Sequence, residues 1–274
     1  MINKNYIFSI FAILFIVFSL NVPSFASTAN SALISAINRK DLNGVKRAVN
    51  NGASVNLRTR NGLTPLVYAS YKNYFNIVRY LVSKGAVINN RNSRYTALLA
   101  ATMYGHLKII RFLVQKGANI KQTKNIMLAA VMSKKTGVID FFLRKGININ
   151  QRFRNGNTPL MTAVEQKLSI IAAYLIKRGA DVNVKNKADI TPIMYAARDN
   201  NLFIAGLLLK RGAKVNASDE TGKTALMWAA MKGNYPIVKL LVKHGANIKM
   251  SSNKGWTPLM IASRYGRYNL VVFF

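Results

Sequence analysis

The chain has 274 residues, with 40 Lys and Arg against 8 Asp and Glu, a formal net charge of +32, and no cysteine. This excludes a disulfide framework and lipid attachment through a cysteine. The carboxylates are scattered and the only histidines are His106 and His244, so no paired acid and base and no metal-ligand cluster can be drawn. The expectation is a non-enzymatic protein with no cofactor and no metal.

Residues 1–26 read as a secretory signal. Lys4 precedes an apolar run from Tyr6 to Leu20, Pro23 breaks it, and Ser24-Phe25-Ala26 offers the small residues a signal peptidase reads. Cleavage between Ala26 and Ser27 is expected, giving an exported protein, periplasmic or secreted. The alternative is an uncleaved N-terminal membrane anchor, although the run is shorter than the roughly 20 apolar residues of a spanning helix.

The rest of the chain repeats. Eight alanines, Ala36, Ala69, Ala101, Ala130, Ala163, Ala196, Ala229 and Ala262, fall 33, 32, 29, 33, 33, 33 and 33 residues apart. Five residues before each stands Ser31, Thr64, Thr96, Asn125, Thr158, Thr191, Thr224 or Thr257. Where Pro follows Thr, at Pro65, Pro159, Pro192 and Pro258, the pair predicts a helix N-cap with Pro at the first helical position, where its missing N–H costs nothing. The alanine lets this short helix lie close to its neighbours. Gly105, Gly233, Gly266, Asn73 or Asn200, four residues on, ends it in a turn. A second helix then carries pairs such as Leu81-Val82 and Leu241-Val242 on its apolar face. It stops at a column glycine: Gly52, Gly85, Gly117, Gly146, Gly179, Gly212 or Gly245.

These residues resemble the ankyrin repeat, most closely over Thr224–Ala230 (TALMWAA) and Gly233–Gly245 (GNYPIVKLLVKHG), and the resemblance covers about 31–274. It implies an all-α ankyrin-repeat solenoid of about eight helix–turn–helix repeats with finger-like turns, one domain over 27–274. The repeats fall at about 31–58, 59–91, 92–120, 121–152, 153–185, 186–218, 219–251 and a truncated 252–274. Two departures stand out. The family's histidine is replaced by Val67, Leu99, Leu128, Met161, Met194, Met227 and Met260, an apolar column read as packing. The finger aspartates are mostly lost, at Thr59, Arg91, Asn186 and Ser252.

The first copy is polar at Asn38–Asp41, as a capping repeat should be. The finger before the fourth copy is reduced to Lys121–Lys124, which predicts a local change of curvature or a hinge. The last copy stops in its second helix at Phe274, and a truncated or frayed end is expected.

The resemblance also implies that finger tips and first helices line a partner-binding groove. The groove positions are then Arg60, Lys121, Arg154 and Lys187, four residues before the Thr column, and Tyr95, Lys124, Lys223 and Trp256 just before it. The first helices add Tyr71, Lys72, Tyr104, Arg264 and Tyr265. Between Leu42 and Ile139 there is no Asp or Glu against sixteen Lys and Arg. Such a groove suits an unidentified protein partner with an acidic contact surface, in the periplasm or in a host. A polyanion or an anionic membrane surface is the alternative; nucleic acid is disfavoured for an exported chain. A second basic column, Lys84, Lys116, Lys145, Arg178 and Arg211, lies in the last turns of the second helices and complements their dipoles. Gly222-Lys223-Thr224 imitates the end of a phosphate loop, but Ala217 stands where its first glycine should be and no strand precedes it.

Overall fold

The computed structural model describes residues 28–59, 62–89, 95–123 and 125–274. The expected signal segment with Ala26 and Ser27, and the groove positions Arg60 and Lys124, lie outside them. Among the described residues there are sixteen helices and no strand, only an isolated bridge between Ser218 and Thr224. The chain forms two compact units that divide between Ile126 and Met127, inside the short fourth copy.

The first unit contains α1 (Thr28–Asn38), α2 (Leu42–Asn50), α3 (Pro65–Tyr71), α4 (Phe75–Ser83), α5 (Ala97–Met103) and α6 (Leu107–Gln115). α7 (Ile126–Met132) begins at the division. The second unit continues with α8 (Thr136–Arg144), α9 (Pro159–Glu165), α10 (Ser169–Lys177), α11 (Pro192–Arg198) and α12 (Leu202–Lys210). It ends with α13 (Ala225–Lys232), α14 (Tyr235–Lys243), α15 (Pro258–Arg264) and α16 (Tyr268–Phe273). The first helices α1, α3, α5, α9, α11, α13 and α15 each pack on the second helix that follows. Within a unit, first helices also pack on first helices (α3 on α5; α9, α11, α13 and α15 in series) and second helices on second helices.

Local chemistry sets each boundary. The hydroxyls of Thr64, Thr96, Thr158, Thr224 and Thr257 accept the N–H of the residue three positions on, at 3.1 to 3.4 Å. Thr191 is the exception: its buried hydroxyl has no partner, and its own N–H points at Met194 Sδ, 3.4 Å away. At the other end, the Gly52 N–H donates to Val49 C=O and the Ala53 N–H to Ala48 C=O, a Schellman closure that requires Gly52 at φ 91°. The turn between paired helices needs a left-handed residue. Asn73, Gly105, Asn200, Gly233 and Gly266 supply it as expected, but Lys40, Lys134 and Lys167 adopt the same conformation at φ 57° to 59°, at a cost of about 1 kcal/mol each.

The alanine column is the seam between first helices, and all eight alanines are at most 1% exposed. Met161, Met194 and Met227 are equally buried, so this part of the histidine column has become core, whereas Met260 in the last copy is 51% exposed. The chain end is a packed helix rather than a frayed one. Leu270 is buried and the Phe273 ring meets Tyr235 edge-on at 5.5 Å.

A ladder of asparagines joins successive copies within each unit. In the first, Asn56 donates to Gly85 C=O and accepts from the Val87 N–H at 2.7 Å, and Asn89 does the same with Gly117 and Asn119. In the second, Asn183 and Asn216 repeat the pattern on Gly212, Lys214, Gly245 and Asn247. The column lies four residues after each glycine, and Lys121 and Lys249 break it.

Candidate functional site

Each unit presents a face built from first helices and fingers. In the first, Tyr68 and Tyr71 stand three residues apart on α3, with their rings 6.0 Å apart. Tyr104, at the end of α5, meets Tyr71 edge-on at 4.6 Å. The exposed Lys72 ammonium lies 4.9 Å from the Tyr71 ring and 5.7 Å from Tyr68. Burial and the Tyr71 neighbour push Tyr104 up to about 12. Burial pulls His106 down, so it is neutral near neutral pH; Nε2–H donates to Tyr71 C=O at 2.8 Å and the ring stacks on Tyr104. His106 is thus a structural link between copies. Lys121 is exposed.

In the column just before Thr, Tyr95 is a core residue rather than a groove residue. Tyr95 is only 8% exposed, and Leu63 and Asn157 in the same column are buried. Here the chain turns inward as it enters the helix, and these three side chains join the core. Lys223 is half-buried and its N–H donates to Asp219 Oδ1. Trp256 is half-buried too, under the Arg264 guanidinium at 5.1 Å; Arg264 and Tyr265 are exposed.

In the second unit Arg154 and Lys187 are exposed on fingers that are knitted together by their backbones. Lys187, Glu220 and Asn253 N–H groups donate to Asn155, Ala188 and Thr221 carbonyls of the preceding finger. A Cβ at Gly156 would lie 2.7 Å from the Lys187 nitrogen, so this approach needs glycine. Beneath the fingers lies a buried polar network that sequence reading missed. Asn157 donates to Glu165 at 2.9 Å and accepts from Asn186, which also donates to the Tyr195 hydroxyl. Arg198 lies over the Tyr195 ring and forms a two-pronged pair with Asp199.

Burial raises the Glu165 pKa, against the pull of Arg198 and the Asn157 hydrogen bond. A folded-state pKa above the unfolded one means that folding holds this proton more tightly; the stability it contributes is full at low pH and is lost as pH rises through the raised value. Glu165→Gln should therefore gain stability relative to wild type as pH rises from below the ordinary carboxylate range towards neutrality, read from urea midpoints. A pH-independent difference would show that burial does not act on this carboxyl.

The finger turns explain how aspartates can be lost cheaply. Asp219 Oδ1 accepts the Thr221 and Lys223 N–H groups, and its Oδ2 accepts from Trp228 Nε1 at 2.9 Å. At the equivalent position, Thr59 accepts from the Leu63 N–H, Asn186 from Ala188 and Ile190, and Ser252 from Trp256. The turn keeps its acceptor while the finger loses a negative charge.

Among the described residues no three metal-ligating side chains cluster, and no helix is long and apolar enough to cross a membrane. No curated protein matches the sequence. The family model for ankyrin repeats matches three times, over residues 32–124, 120–186 and 193–274. The repeat columns, the paired helices and these matches agree: the chain belongs to the ankyrin-repeat family.

Proposed function

We propose that this chain is a non-enzymatic binding module that takes an acidic protein partner on its fingers and first helices. Ankyrin repeats generally mediate contacts between proteins, and this sets the class of function. One observation supports the finer reading: Thr59, Asn186 and Ser252 hold the finger turns as Asp219 does, but without charge, while Lys121, Arg154 and Lys187 stand exposed on the fingers. Fingers whose turn-holding residue is uncharged and whose tips carry cations attract carboxylates from outside. The test is affinity capture with the full chain beside a variant carrying Lys121→Glu, Arg154→Glu and Lys187→Glu. A protein retained by the first and lost by the second supports the reading; equal retention contradicts it.

The same reading places the protein outside the cytoplasm, on the strength of the segment from Lys4 to Ala26. The cellular protein should begin at Ser27 by intact mass. A mature chain that still begins at Met1 would contradict export by cleavage.

A further inference from the structure

We propose that the second-helix face of the first unit is a docking surface for an anionic lipid bilayer, distinct from the protein-binding face. The helices α2, α4 and α6 lie side by side. They and their C-caps expose Lys46, Arg79, Lys84, Lys108, Arg111 and Lys116. No carboxylate occurs on α4 or α6, and among the described residues this unit's one ion pair is Arg47 with Asp41 at 3.5 Å. Three of these cations, Arg79, Lys84 and Lys108, rest instead on half-buried aromatic rings. Phe75 and Phe112 meet edge-on at 5.6 Å, the Lys108 ammonium lies 4.3 Å from the Phe75 ring and Arg79 6.0 Å from it, and Lys84 sits over Tyr80.

Stability alone does not account for this arrangement. Lys84 and Lys116 complement helix C-termini, but Lys108 is in the first turn of α6, where the helix dipole disfavours a cation and no acidic residue offsets it. In the second unit, by contrast, Asp140 on α8 accepts from Arg144 at 2.7 Å, from Arg178 at 3.1 Å and from the Tyr174 hydroxyl. Cations spread over three neighbouring helices, rather than along one line, match the sheet of charge that an anionic leaflet presents. Aromatic rings between them suit the headgroup layer, where amphipathic rings settle.

The test is flotation of the full chain with phosphatidylcholine vesicles, with and without added phosphatidylserine. Any apolar attachment through residues 1–26 appears in both, so the phosphatidylserine-dependent increment is the readout. Each basic residue near an anionic surface contributes about fivefold, so Arg79→Gln, Lys108→Gln and Arg111→Gln together should lower that increment by about a hundredfold, with unchanged far-ultraviolet circular dichroism. Reversal to Glu should lower it further. The finger variant Lys121→Glu, Arg154→Glu, Lys187→Glu should stay within roughly threefold of wild type, since none of its cations belongs to α2, α4, α6 or their C-caps. Equal losses from the two sets, no dependence on phosphatidylserine, or duplex DNA displacing the vesicles at matched phosphate would each overturn the proposal.

Discussion

Asp219→Ala should destabilise the chain by about 3 kcal/mol, because it strands several donors at once. The carboxylate is 7% exposed and accepts the Thr221 and Lys223 N–H groups, the Thr221 hydroxyl and the Trp228 indole N–H at 2.7 to 2.9 Å. Each unsatisfied buried group costs roughly 1 to 3 kcal/mol, and water reaches part of the finger, which holds the total near the lower sum. Asp219→Asn keeps one acceptor oxygen and should lose about half as much. Urea unfolding midpoints decide it: a loss below about 1 kcal/mol for Asp219→Ala would mean that the finger finds other acceptors.

Ala196→Leu should cost about 1 to 3 kcal/mol by overpacking. Ala196 is fully buried on α11, which packs against both α9 and α13. Three added carbons force either off-rotamer side chains or a wider spacing of first helices, and a wider spacing also pulls apart the fingers joined through Lys187, Glu220 and Asn253. Thermal unfolding measures the cost. An unchanged midpoint would mean that the alanine column does not set the spacing.

The repeat could be read in advance because its columns carry obligatory chemistry: a hydroxyl to cap, proline at the first turn, a small residue at the seam, glycine at the left-handed end. Three Lys residues in the left-handed turn escaped that logic, since neighbouring helices impose the conformation whatever the side chain. The asparagine ladder stands four residues after five of the column glycines, and its function appears only when the next copy brings a carbonyl and an N–H to it. Tyr95 is core rather than groove because a residue type suited to a binding face suits a core equally; Leu63 in its column is the sequence signal for the core. Asn157 bonds Glu165 and Asn186 bonds Tyr195 within their own copies, but the two pairs join into one network only through stacking of copies, which no local pattern encodes.

Lys72 occupies the C-cap of α3, so reversing it would act on that helix's dipole as well as on a partner. Lys121, Arg154 and Lys187 are exposed and cap no helix, and they form the cleaner probe. The decisive measurement is calorimetric binding of a captured partner to the triple Glu variant at these three positions, beside an equal reversal at Lys145, Arg211 and Lys243 at the ends of α8, α12 and α14. The finger reversal should weaken binding by about a hundredfold and leave helicity intact, while the helix-end reversal should cost stability and leave affinity within a few fold. Equal weakening by both sets would show that net charge, and not the finger face, recognises the partner.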